Sequence, residues 1–246
     1  MRTFIVSTGR TGTQSLAYFF SELDSSIVAL HEPKPSRRFR LLSNLRACEK
    51  VSPEFCCSHF TSVRKKYLDS HIHYVESNNF LFGFADYLSY KLEAKILHVV
   101  RHPLDYARSH MKHGVFRGLK GLASNYIPYW LAQPSKYGVS QLHWRSLPEI
   151  ERLFWNWRLV NQTILDNCSS LGDRYKVVKY EDIFYDDHAL MEVLTWSGLE
   201  APPQEELRTL RMNRLNAGKG YAPELPQTNV WSMVDICEPL MTRLGY

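Results

Sequence analysis

Short continuous apolar runs recur along the chain, and polar segments rich in Gly, Pro and Thr separate them from stretches of helical spacing. Phe4, Ile5 and Val6 form the first run, the pattern of a strand buried on both faces. Comparable runs at Ile27–Leu30, Ile72–Val75, Ile96–Val100 and Tyr175–Val178, with helical stretches between most of them, predict an α/β fold with a central parallel sheet flanked by helices. From Leu147 to Leu165, the residues Ile150, Leu153, Phe154, Trp157, Val160 and Ile164 recur at intervals of three and four, which predicts a long amphipathic helix. The stretch from Lys112 to Trp144 is rich in Gly, Pro, Tyr and Trp and has poor periodicity. It is expected to be an irregular insertion or lid, at about 112–146, within one domain spanning residues 1–246.

Composition narrows this picture. A chain of 246 residues with 44% apolar content can bury one sizeable core. A formal charge of +5 suits polyanionic ligands without requiring nucleic acid. The five cysteines, Cys48, Cys56, Cys57, Cys168 and Cys237, have no zinc-like or disulfide-framework spacing. Reduced thiols and a cytoplasmic location are therefore the expectation. No secretory signal and no bilayer-spanning apolar window is visible in the sequence. The ten histidines give no metal-binding spacing, so no metal is expected.

The candidate chemistry starts in the segment STGRTGTQSL, residues 7–16, directly after the first strand. Gly9 and Gly12 allow the chain to expose successive backbone N–H groups as it enters a helix, a nest that suits phosphate. Arg10, Thr11, Gly12, Thr13, Gln14 and Ser15 supply a guanidinium, hydroxyls and N–H donors. The Lys of a nucleotide-triphosphatase loop, GxxxxGK[ST], is missing. A purely structural Gly/Thr turn is the alternative reading.

Around the fourth run, ILHVVRHPLDYARSH (residues 96–110) places Arg101 at a strand's carboxyl end and Pro103 in the first turn of a helix. Ser109 follows six residues after Pro103. Its hydroxyl could join the guanidinium on one phosphate. The alternative is a surface Arg101 with an incidental Ser109.

These two motifs, in this order, resemble the sulfotransferase superfamily, whose fold is similar to that of P-loop nucleotide triphosphatases. The RTG spelling and the His31-Glu32-Pro33 segment are similar to its carbohydrate and bacterial branch. The resemblance implies 3′-phosphoadenosine 5′-phosphosulfate (PAPS) as donor and adenosine 3′,5′-bisphosphate (PAP) as product. It places the 5′-phosphosulfate on the loop at residues 10–15 and the 3′-phosphate on Arg101 and Ser109, with His102 where Asn or Asp is usual. Many members carry Lys where this chain has Arg10, which remains protonated and so stabilises charge without donating a proton.

Transfer to an acceptor hydroxyl or amine needs in-line alignment and a base. The resemblance implies Glu32 as that base, with His31 as second choice. A surface Glu32 paired with Lys34 or Arg37 is the alternative. Tyr175–Asp182, YKVVKYED, reads as a core strand and the start of a helix that resembles the family's later strand. Lys219, in the basic turn from Asn216 to Gly220, is similar to the family's late loop over the 3′-phosphate.

Glu76, Ser77 and Asn78 follow a predicted strand, where they either reach acceptor hydroxyls or, the favoured reading, end the strand and cap a helix. Arg37, Arg38, Arg40 and Arg46, with Lys34 and Lys50, either attract an anionic acceptor or, the favoured reading, form a solvated basic face. Tyr126, Tyr129, Trp130, Tyr137 and Trp144 either line an acceptor pocket or pack the insertion. The expected partner is a small-molecule or carbohydrate acceptor, with no nucleic acid. A P-loop kinase or nucleotide triphosphatase, or a noncatalytic nucleotide- or glycan-binding homologue, are the competing functions. Acceptor and oligomeric state are not encoded in these patterns.

Overall fold

The computed structural model describes residues 1–69, 73–112, 116, 118–127, 130, 139–212 and 227–246. Five strands, β1 (Arg2–Ser7), β2 (Ile27–His31), β3 (His73–Ser77), β4 (Lys95–Val100) and β5 (Tyr175–Lys179), form one parallel sheet in the order β2-β3-β1-β4-β5. The helices are α1 (Thr13–Leu23), α2 (Ser36–Ala47), α3 (Pro53–Leu68), α4 (Ala85–Leu92), α5 (Pro103–Lys112) and α6 (Gly118–Tyr126). They continue as α7 (Gln141–Ser146), α8 (Glu149–Cys168), α9 (Tyr180–Tyr185), α10 (Asp187–Trp196), α11 (Gln204–Met212) and α12 (Gln227–Arg243).

Alternation along β1 divides the core. Phe4 and Val6 point into one layer with Phe39 of α2, Phe60 of α3, Leu88 of α4 and Ile164 of α8. Ile5 points into the other with Leu16 and Phe20 of α1, Leu194 of α10 and Leu207 of α11. Phe4, Ile5 and Val6 are fully buried, as a central strand covered on both faces requires. A third cluster joins Val100 and Tyr106 to Trp157 of α8 and to Cys237 and Leu240 of α12.

The expected helix in the Leu147–Leu165 region is α8, whose buried stripe includes Ile150, Leu153, Phe154, Trp157, Val160 and Ile164. Between α5 and α8 the described residues contain two helices, α6 and α7. All five cysteines are free thiols, four of them buried. No helix among the described residues is long and apolar enough to cross a membrane.

Because β3 lies on one side of β1 and β4 on the other, the strand order reverses around β1. In open α/β sheets the crevice outside the strands' carboxyl ends at such a point is where ligands bind. The loop after β1 opens there, and so do the segments that follow β2, β3 and β4.

Candidate active site at the carboxyl edge of the sheet

The loop from Thr8 to Gly12 turns by way of three residues in the left-handed region: Gly9 (φ 80°), Arg10 (φ 58°) and Gly12 (φ 70°). Side chains are excluded at both glycines. A Cβ at Gly9 would stand 2.6 Å from Asn79 Nδ2, and one at Gly12 would stand 2.4 Å from the Phe184 ring. Gly12 is the N-cap of α1 and provides no side-chain cap, so the helix begins directly at the loop. Thr11 is fully buried, and its hydroxyl has no partner among the described residues. Thr13 and Ser15 are buried and Gln14 is exposed.

The second motif meets this loop directly. Arg10 Nε donates to Ser109 Oγ at 3.1 Å, and Arg101 Nη1 donates to the Arg10 carbonyl at 2.8 Å. Arg101 lies over the Tyr180 ring at 4.4 Å, while its buried Nε finds no acceptor. Its carbonyl accepts from Trp157 Nε1 at 2.8 Å, which fixes the strand end against α8. Burial, reinforced by the charge of Arg101, lowers the Arg10 pKa from its ordinary value. The site therefore concentrates positive charge in partly desolvated surroundings, where an anion is held most strongly.

His102 begins α5 with its own side chain. Its Nδ1 accepts from Leu104 N at 3.3 Å, capping α5. Burial lowers its pKa, which favours the neutral ring that a cap acceptor requires. Glu181 Oε1 accepts from the His102 amide at 3.1 Å.

Glu32 and His31 end β2 on the same edge. Glu32 has φ 42°, and its amide donates to the Ser77 carbonyl at 3.0 Å. The carboxyl is half-buried; desolvation raises its pKa, opposed by the nearby Arg40 and Arg37 guanidinium groups. The Arg37 guanidinium named in the alternative reading is thus one of the charges acting on it. His31 is also half-buried, and burial lowers its pKa against an opposing contribution from the Ser77 backbone.

Of the basic stretch, Arg37 and Arg38 are exposed, but Arg40 is half-buried between rings, 5.5 Å from the Phe80 centroid and 4.0 Å from that of Trp130. Trp130 thereby brings the insertion beside the carboxyl end of β2. Trp144 is buried and Tyr126 exposed, while Tyr129 and Tyr137 lie outside the described residues. So does Lys219. Among the described residues, no cluster of three His, Cys, Asp or Glu side chains could hold a metal ion.

Two features escaped the sequence reading. Tyr180 supplies the ring against Arg101. Arg64, in α3, forms a fully buried ion pair with Glu76, Nε to Oε2 at 2.8 Å. Its position in the buried stripe Cys57, Phe60, Arg64, Leu68 is the signal that could have identified it, since a charge in a core stripe must be paired.

Arg10 and Arg101, on the segments that follow two adjacent strands of a five-stranded parallel sheet, thus stand together at its carboxyl edge. Solved sulfotransferases share this architecture. The sulfotransferase domain of the curacin biosynthetic pathway superposes with a TM-score of 0.52 at 13% identity, covering 88% of this chain and 80% of that one. A sulfotransferase from Mycobacterium avium gives 0.51 at 10% identity over 98% and 76%. A mouse sulfotransferase complexed with PAP gives 0.50 at 14% identity over 91% and 69%. No protein-family model and no curated protein matches the sequence. The chain has the sulfotransferase fold.

Proposed function

We propose that this protein moves a sulfuryl group from PAPS to a hydroxyl or amine of a carbohydrate or small molecule, by in-line displacement and without a metal. The observation that carries this reading is the junction of the two motifs, in which Arg10 bonds Ser109 and Arg101 bonds the Arg10 carbonyl. A ligand phosphorylated at both its 5′ and 3′ positions would engage both. The Thr11 hydroxyl and Arg101 Nε, which have no partner among the described residues, support this reading as donors for such oxygens.

In this reading the first-turn N–H groups of residues 13–15 and Arg10 hold the 5′-phosphosulfate, and Arg101 and Ser109 hold the 3′-phosphate. Lys219 joins the 3′ side. PAPS supplies the activated sulfuryl group. Arg10 and the loop amides stabilise the charge that collects on the 5′-phosphate as the group departs. Glu32 accepts the acceptor's proton, and its raised pKa brings it closer to a working base near neutral pH. His31 is the second choice. Arg40, with Phe80 and Trp130, borders the acceptor side. A carbohydrate acceptor follows the resemblance of the His31-Glu32-Pro33 segment, and a cytoplasmic setting follows the free thiols.

The test is thermal stabilisation by PAP against ATP with magnesium, followed by release of PAP from PAPS over a panel of sugar and small-molecule acceptors. Stabilisation by PAP with turnover abolished in Glu32→Gln is expected. Stabilisation by magnesium–ATP alone would replace this reading with phosphoryl chemistry. PAP binding with no turnover on any acceptor would replace it with a binding protein.

A further inference from the structure

We infer that the buried Arg64–Glu76 pair is a positioning device that holds the Glu32 turn in the shape its carboxylate needs. The inference rests on the reading of Glu32 as base, but its geometry stands alone. Side-chain exposure is 1% for Arg64 and 0% for Glu76. A pair this deep is a poor source of stability, because desolving both charges offsets their attraction. What distinguishes it is where its remaining donors point.

Arg64 Nε and Nη2 grip the two oxygens of Glu76 at 2.8 and 3.0 Å. The same guanidinium donates Nη1 to the Lys34 carbonyl at 2.8 Å and Nη2 to the Pro33 carbonyl at 2.6 Å. Those are the two peptide oxygens immediately after Glu32. A second strut runs in parallel: Asn78 Nδ2 donates to Glu76 Oε1 and Ser36 Oγ, and the Ser36 hydroxyl donates to the Pro33 carbonyl. Tyr74 OH completes the shell on Glu76 Oε2. The Phe39 and Phe60 rings flank the guanidinium at 5.2 and 5.7 Å.

The turn so held is one the chain does not adopt freely. Glu32 has φ 42°, a left-handed conformation that a residue with a side chain rarely adopts. Such a conformation persists when its surroundings over-determine it. Here the Glu32 amide is tied to Ser77 of β3 on one side, and the following carbonyls are tied through Arg64 to Glu76 of the same strand on the other. Strand β3 thus sets the turn at both ends, and Glu76 acts on Glu32 only through Arg64 and the backbone.

The test uses Arg64→Lys, which keeps the charge beside Glu76 but lacks a planar fork to span two carbonyls and a carboxylate. Arg64→Met/Glu76→Gln, which removes both charges together, is the second variant. Two readouts are needed: exchange of the Glu32 amide by NMR, and titration of the Glu32 carboxyl in protein labelled at the glutamate carboxyl carbon, assigned by its loss in Glu32→Gln. In each variant the Glu32 amide should exchange about tenfold or more faster, and the carboxyl should titrate closer to an ordinary glutamate. Amides of β1 and PAP affinity should stay within about twofold. An unchanged Glu32 amide and titration in either folded variant, with only global stability lowered, would reduce the pair to a core contact. If Glu32→Gln retains full transfer, the base assignment fails, whereas the positioning claim is judged on amide and carboxyl alone.

Discussion

The two halves of the sheet's carboxyl edge hold arginine in opposite ways. Around β1 and β4, Arg10 and Arg101 bond a hydroxyl and a carbonyl oxygen. Among the described residues no carboxylate pairs with either of them. Around β2 and β3, Arg64 is buried with Glu76 and its charge is cancelled inside the protein. The first half leaves positive charge to be met by an anion; the second uses the same side chain as a brace. Partner and burial, not residue type, decide which role a guanidinium plays.

The strongest way to break this contrast is to alter the group the brace serves. Glu32→Gln should lower sulfuryl transfer by about a hundredfold to ten-thousandfold. PAP affinity, measured by calorimetry, should change less than about twofold, because the donor half is untouched. Equal losses in both would dissolve the division.

The next largest effect extends the contrast to a buried group with no charge. His98, fully buried on β4, bonds Tyr175 and Asn161. Burial lowers its pKa from 6.5 to about 4. Below 6.5 the unfolded chain binds this proton and the folded chain does not. Stability should therefore fall as pH drops from 6.5 toward about 4, by about 3 kcal/mol. Urea unfolding of His98→Gln should show that much less dependence on pH over this range.

Gly12→Ala places a Cβ 2.4 Å from the Phe184 ring at φ 70°. A loss of about 1–3 kcal/mol in unfolding free energy is expected, together with weaker PAP binding as the loop shifts.

The smallest effect concerns Arg40, which lowers the Glu32 pKa against its burial. A carboxylate base works only when ionised. Arg40→Ala should therefore move the acid limb of the transfer rate to higher pH, and an unmoved limb would place Arg40 outside the reach of Glu32.

Local signals made the fold, and the junction of the two motifs, legible in the sequence. Five apolar runs announce β1 to β5, and the spacing from Ile150 to Ile164 announces α8. Arg10 and Arg101 are recognisable because their segments follow strand ends, and Ser109 because it lies on the helix that leaves the second of them. The acceptor half rests on long-range pairing that spacing does not encode. Glu76 and Ser77 close β3 as their polarity signals, but their partners, Arg64 and the Thr13 carbonyl, are not signalled by any local pattern. Trp130 meets Arg40 from ninety positions further along the chain, a contact that no local pattern signals. The capping by His102 was equally hidden, because the imidazole replaces a more familiar cap side chain.

The most direct measurement of the central claim is a cycle of affinities, PAP against adenosine 5′-monophosphate on the unaltered protein and on Arg101→Ala. If one ligand bridges both anchors, the unaltered protein should prefer PAP by about tenfold to a hundredfold, and Arg101→Ala should erase that preference while leaving the monophosphate affinity nearly unchanged. Equal affinity for the two nucleotides in the unaltered protein, or a preference for PAP that survives in Arg101→Ala, would contradict it.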